Sequence, residues 1–458
     1  MGRILVWLLA LIVALLAAVV VWFYVAPPGE LRVASGYAAK IVCSNVFLAG
    51  RDGDTVLAVD VQAPGHPLLR LVSVDVDREA GTVEAGIFGL FGGGLAVHRE
   101  GAGCAAVPDG DLDAARRFTA PPPAAAPAGD APWPQGERLA ASQDPALAAV
   151  LDDDAMTGPG MRAVVVVHGG RIVAERYGEG FAAETPLLGW SMTKTVTAAL
   201  VGRAIGEGML TRAADGLFER WQDDGRAAID VAGLLAMASG LAFNEDYGAV
   251  ADVTRMLYLE PDMAGFAAAQ PLEAEPGSVF SYSSGTSVLL SRVWQEAAGG
   301  GDAARAWPRT VLFGPLGMTS AVLETDARGT FVGSSYLYAT ARDWARFGLL
   351  LLRDGVWQGE RLLPEGYVAW MRTPTEVSGG RYGRHVWLEG PDAGLAEDAD
   401  PDAGHDLPDD AYWLRGHDGQ TVTVIPSRDL VVVRMGLTPS DLGYRPQAMV
   451  AALAAALR

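Results

Sequence analysis

Lysine is almost missing from this chain. Of 35 basic residues only two are lysines, Lys40 and Lys194, and the rest are arginines. Cysteine is as rare, with Cys43 and Cys104 alone, and no Cys/His spacing of a zinc site accompanies them. The six histidines, His66, His98, His168, His385, His405 and His417, are scattered without a His-x-x-x-His pair, which argues against a helical metal centre. Positive charge is in deficit: 55 acidic residues leave a net charge of −20. A chain so acidic repels phosphate backbones, so nucleic acid is not its partner. There are no internal repeats and no complete Gly-x-Ser-x-Gly elbow; Gly189-Trp190-Ser191 supplies half of one, but Thr193 stands where the second glycine belongs. What remains is a globular composition, 50% apolar and 20% charged. At 458 residues it is long enough for two or three units.

Ile4 to Val25 form 22 consecutive apolar positions. As a helix they would span roughly 33 Å, against about 30 Å for a hydrocarbon core. A cleaved signal peptide is the competing reading, although its apolar region is usually about 7–15 residues. An uncleaved anchor fits the length better. Arg3 on the N-terminal flank favours a cytoplasmic N-terminus and a periplasmic or otherwise extracytoplasmic body. In an exported chain Cys43 and Cys104 read as one structural disulfide, with two buried thiols as the alternative.

Past the anchor, residues 31–117 form a small β-rich accessory domain, with two strands expected around a turn at Glu79-Ala80-Gly81. Residues 118–137 are rich in Pro and Ala and read as a semi-rigid linker. Residues 138–458 form the catalytic unit. It opens with a hairpin turning at Gly169-Gly170 and is mainly helical in the middle. Strands return in "YWLRGHDGQTVTVIPSRDLVVVRMG", and a last helix follows. The expected fold is α/β: one mixed sheet built from both ends, flanked by helices, with a helical subdomain inserted.

Three short elements carry chemistry. In Ser191-Met192-Thr193-Lys194, helical spacing puts Ser191 and Lys194 on one face. A serine hydroxyl needs a base to become a nucleophile. In a chain that uses arginine for charge, a lysine here suggests a need for a removable proton, which arginine cannot supply. The helix N-terminus adds backbone N–H groups for an oxyanion. In Tyr282-Ser283-Ser284 the phenol is suited to shuttle a proton. In Arg415-Gly416-His417-Asp418-Gly419-Gln420 glycines permit close backbone approach, the Gln420 N–H is a candidate oxyanion donor, and His417 is a donor or charge at the site wall.

Taken in order, Ser191-x-x-Lys194, Tyr282-x-Ser284 and His417-x-Gly419 resemble the three motifs of the β-lactamase-related serine hydrolases, a group that includes class C β-lactamases, penicillin-binding peptidases and related esterases. The resemblance covers roughly residues 150–455. It includes "LLAMASGL" (234–241) and "ATARDWARFGLLLLRDGVWQGERLLP" (339–364), the latter most similar to the nylon-oligomer (6-aminohexanoate-dimer) hydrolase branch. It implies an acyl-enzyme on Ser191, Lys194 as general base, Tyr282 as relay, and an oxyanion hole from the N–H groups of Ser191 and Gln420. It also implies a substrate side formed by Tyr247, Ser284, His417 and Gly419. Two departures matter: β-lactamases commonly end the second motif in Asn and begin the third with Lys. Here those places hold Ser284 and His417, which suits a less anionic amide or ester.

The expected partners are therefore a small-molecule amide or ester and, through the first helix, a membrane. No cofactor is implied, and nothing in the pattern specifies an oligomeric state. The competing readings are a non-catalytic, membrane-tethered binding protein on the same fold and a true β-lactamase or D-alanyl peptidase. The stretch 397–410, "EDADPDAGHDLPDD", reads as a solvated acidic loop; a calcium loop would need its glycine elsewhere and no Pro401.

Overall fold

The computed structural model describes residues 2–122, 131–139, 144–396 and 399–457. They form two compact units that share the chain unevenly. The first takes Met1–His98, Cys104–Arg117 and Glu245–Pro261, and the second Arg99–Gly103, Phe118–Asn244 and Asp262–Arg458.

In the first unit helix α1 (Gly2–Val25) is exposed from Arg3 to Trp22, and its Arg3–Val25 portion is long and apolar enough to cross a membrane. Pro27 and Pro28 end it, and α2 (Gly29–Leu48) begins after the fixed φ of Pro28. Four strands follow in sheet order: β1 (Val72–Asp77), β2 (Thr82–Ile87), β3 (Phe91–Arg99) and β4 (Gly103–Ala106). β1 and β2 turn through residues 78–81, where expected. The long helix α2 was not foreseen in a stretch read as β-rich. Its small residues let it lie on the sheet: a Cβ on Gly94 would come within 2.2 Å of the Ser35 carbonyl oxygen. The disulfide joins Cys43 on α2 to Cys104 on β4, across 61 residues of sequence.

This unit also claims a stretch that sequence assigned to the catalytic domain. The helix Asp252–Leu259 buries Val253, Met256, Leu257 and Tyr258. It packs on α2 at Gly36, where a Cβ would meet the Tyr258 backbone at 3.0 Å, and the rings of Tyr37 and Tyr258 lie 5.6 Å apart. The stretch groups with the first unit because α2 covers the apolar face of that helix.

The second unit is built on a five-stranded sheet. Its strands are β5 (Met161–His168), β6 (Arg171–Tyr177), β10 (Tyr412–Gly416), β11 (Gln420–Ile425) and β12 (Leu430–Gly436), in the order β10-β11-β12-β5-β6. Both ends of the chain supply it, as expected, but every neighbouring pair is antiparallel, so it is not a mixed sheet in strand direction. β5 and β6 turn at Gly169 and Gly170, both at positive φ. Helices cover both faces, which explains the unbroken apolar run Ala163–Val167. Helices α3 (Pro145–Asp152) and α7 (Gln447–Ala456) cover one face, with Leu147, Leu151, Met449 and Leu453 against Val164, Val166 and Val432. Helix α6 (Ala341–Leu352) covers the other; a Cβ on its Gly348 would reach within 2.6 Å of Val431. A second sheet has the order β7 (Leu187–Leu188), β9 (Leu337–Ala339), β8 (Val322–Leu323), and its strand β7 comes just before the buried helix α4 (Thr193–Gly206).

The expected linker is not a free spacer at its described ends, and residues 123–130 lie outside the described residues. Phe118 packs on Gly329, and Arg305 lies 5.5 Å over its ring. Trp133 is buried, and Arg346 donates to the carbonyls of Pro134 (3.0 Å) and Gly136 (2.9 Å). Those contacts hold the segment against α6.

Candidate functional site

Ser191 sits in a single 3₁₀ turn, Trp190–Met192, that runs into α4, two residues before the helix proper. Trp190 holds φ +47, a left-handed conformation that costs a non-glycine residue of order 1 kcal/mol or more. Two close approaches hold the turn there. A Cβ on Gly189 would come within 2.1 Å of the buried Trp344 ring, and one on Gly416 within 2.4 Å of the Gly189 oxygen. The end of β10 thus passes directly against the turn that carries Ser191.

Lys194, one helical turn on, is 1% exposed. Its Nζ donates to Ser191 Oγ at 3.0 Å, Ser284 Oγ at 3.1 Å and the Ser334 carbonyl at 3.1 Å. Every one of these partners is neutral, and no carboxylate pairs with Nζ among the described residues. Each partner comes from a different element. Ser284 opens helix α5 (Ser284–Ala297), which Ser283 caps by accepting from the Thr286 N–H at 3.1 Å. Ser334 belongs to a buried run leading into β9, which pairs with β7 just before the turn that carries Ser191. Gly333 lets that run pass, since a Cβ there would sit 2.2 Å from Ser291 Oγ.

The Tyr282 ring lies 4.8 Å from Lys194 Nζ, a cation–π contact rather than a hydrogen bond. Tyr282 is the inner edge of an aromatic wall with Trp387 (5.3 Å), Tyr382 (6.0 Å) and, beyond them, Phe280. Burial, and then the neighbouring Tyr282, push the Tyr382 phenol well above its ordinary range, so it stays neutral. Arg415 stacks on Trp387 at 4.2 Å and pairs with Asp392 at 2.6 Å.

The turn after β10 carries the third motif. The His417 ring stands edge-on to Trp190 at 5.5 Å with its side chain 43% exposed, and its Nε2 is 3.5 Å from Asp418 Oδ1. Gly419 holds φ +80, with Arg434 against it. The Gln420 side chain pins the turn: Nε2 donates to the carbonyls of His417, Asp418 and Gly436, and Oε1 accepts from the Gly436 N–H. Tyr247 is not in this unit; it lies in the Glu245–Pro261 stretch of the first. Ser284, expected on the substrate side, is fully buried against the lysine.

Sequence reading named His385 only among the scattered histidines and gave it no place at the site. It is buried at φ +56; its Nδ1 bonds the Leu235 carbonyl and its Nε2 the Ser287 hydroxyl, both at 2.9 Å. Burial, with Lys194 as a lesser cause, pushes it down to about 3, so the ring is neutral. With no carboxylate on either nitrogen it is not the histidine of a Ser-His-Asp triad. Ser334 was also missed, for it acts through a backbone carbonyl that any side chain would offer. The acidic loop ties itself to the fold: Asp402 accepts from the Gly390 N–H, and Asp410 from Ser427. Glu397 and Asp398 lie outside the described residues, and among the described residues no cluster of three acidic, His or Cys side chains gathers.

A serine turn before a buried helix, a lysine beside it and an antiparallel sheet made from both chain ends give a β-lactamase-like fold. The profile of the Beta-lactamase family matches residues 151–456, and the chain belongs to that family. Solved structures agree on the fold. A proposed 6-aminohexanoate-dimer hydrolase from Bacillus anthracis is 22% identical, with 68% of this chain and 80% of that one covered at a TM-score of 0.53. A proposed β-lactamase from Bacteroides dorei DSM 17855 is 18% identical, with 69% and 98% covered at 0.52. EstCE1, a hydrolase with promiscuous acyltransferase activity, is 17% identical, with 68% and 97% covered at 0.52. No curated protein matches the chain.

Proposed function

We propose that this protein is a membrane-anchored serine hydrolase that cleaves an amide or ester through an acyl-enzyme on Ser191. The observation that carries the reading is the 3.0 Å contact between Lys194 Nζ and Ser191 Oγ, with no other hydrogen-bond partner for that oxygen among the described residues. Ser191 Oγ attacks the substrate carbonyl carbon as its proton passes to the Lys194 side chain, which acts as the neutral amine and becomes the ammonium in this step. The carbonyl electron pair becomes an oxyanion held by the N–H groups of Ser191 and Gln420. Its collapse breaks the bond to the leaving amine or alcohol, which takes a proton relayed through the Tyr282 hydroxyl. Water then attacks the acyl carbon, gives its proton back along the same route, and Ser191 is regenerated.

Ser284 holds the lysine from behind, and the substrate side is formed by His417, Gly419 and the aromatic wall of Tyr282 and Trp387. A half-exposed histidine in place of a permanent cation fits an acyl group without a carboxylate. Purified protein should therefore hydrolyse a chromogenic cephalosporin slowly or not at all. The helix α1 acts as the anchor, with the catalytic unit on the periplasmic or extracytoplasmic side. The test is fluorophosphonate labelling of the full chain with the adduct mapped by mass spectrometry. Labelling at Ser191, lost in Ser191→Ala and Lys194→Ala, supports the reading; labelling at another serine, or none on folded protein, overturns it.

A further inference from the structure

The loop between β2 and β3 is apolar where a loop is ordinarily polar. Residues 85–97, "AGIFGLFGGGLAV", contain no charge. At the tip Phe88 is 64% exposed and Leu90 62%, and the Phe88 N–H bonds the carbonyl of Leu71, itself an exposed leucine. Phe88 holds φ +53, so the backbone turns a large aromatic outward in a conformation better suited to glycine. Isolated exposed leucines are ordinary; three large apolar side chains at one uncharged tip mark a contact surface.

The rest of the first unit says what meets it. Phe91, beside the tip, packs edge-on to Phe23 at the end of α1, 6.2 Å between rings. Gly92 of β3 lies against Leu31 and Ser35, in the opening turns of α2. Only residues 26–28 separate α1 from α2. The β2–β3 end of the sheet therefore sits where the chain leaves α1. That end of α1 reads Trp22-Phe23-Tyr24, the aromatic belt of a helix emerging at a membrane surface. The opposite end of the sheet, the turn at 78–81, carries Arg78 and Glu79 instead.

We propose that Phe88, Leu90 and Leu71 form a second membrane contact, inserting into the headgroup region of the leaflet from which α1 emerges. The anchored unit then rests on the bilayer at two points and does not swing on a single tether. This rests on α1 being membrane-inserted, so the experiment reports on both. The disulfide leaves no free cysteine and both its sulfurs are buried, so single cysteines can be introduced and labelled with an environment-sensitive fluorophore. The full chain is reconstituted into phosphatidylcholine vesicles with Phe88→Cys, Leu90→Cys, Glu79→Cys or Leu15→Cys, each checked for native circular dichroism.

Labels at 88 and 90 should be quenched by lipid-borne spin labels and shielded several-fold from aqueous iodide relative to 79, with 15 shielded most. Labels at 88 and 90 as open to iodide as 79, with 15 shielded, would overturn the contact and leave the anchor standing. Iodide access at 15 would overturn both.

Discussion

Replacing Lys194 by alanine is the sharpest perturbation of the proposed mechanism. Lys194 Nζ is the one described partner of Ser191 Oγ, so without it no neighbour is in place to take the proton. Loss of a positioned general base costs about 10²- to 10⁴-fold, or about 3–5 kcal/mol of barrier. Lys194→Arg should fall as far, because a guanidinium keeps the charge but gives up no proton near neutral pH. Ser284→Ala removes one of three restraints on the ammonium, a charge-assisted bond worth about 1.5–3 kcal/mol. If half of that appears in positioning, the rate falls about 4- to 13-fold. Lys194→Ala also strips the Ser334 carbonyl of its donor, so each variant is first melted and then assayed well below its midpoint. The assay is the second-order rate of fluorophosphonate labelling beside turnover of an activated ester. A Lys194→Ala protein that keeps more than about a third of either rate would refute the lysine-base mechanism.

Gly189→Ala should destabilise by about 1–3 kcal/mol through collision with Trp344, and move Ser191 enough to cost about 10²-fold in activity, read from a melt and an ester assay. His385 is held down to about 3 against an ordinary value near 6.5, so the unfolded chain binds its proton first as pH falls. Its contribution is intact above about pH 6.5 and is lost toward pH 3 at up to about 1.4 kcal/mol per unit; denaturant midpoints for wild type and His385→Gln should diverge above that pH and converge below it. Cys43→Ser with Cys104→Ser opens a loop of 61 residues and should cost the first unit about 4 kcal/mol, seen as a lowered thermal midpoint while Ser191 labelling persists.

Much of this protein is legible in one dimension because the relevant physics is local. The spacing of Ser191 and Lys194 on one helical face, the Gly169-Gly170 hairpin, the turn at 78–81 and the length of the first apolar run each follow from backbone geometry over a few residues. The lysine stands out by composition, since a chain built on arginine marks its one catalytic-region lysine. What sequence could not decide were matters of long-range packing. Small residues on α2 accommodate the helix Asp252–Leu259, and the stretch 245–261 that holds Tyr247 groups with the first unit. Ser334 reaches Lys194 through a carbonyl delivered by the pairing of β7 with β9 across about 150 residues, which no side chain announces. Ser284 keeps its place in the motif, but only tertiary packing buries it and sets its hydroxyl against Lys194 Nζ. A motif fixes which groups are present; which of them face one another is set by how distant elements close over the same buried volume.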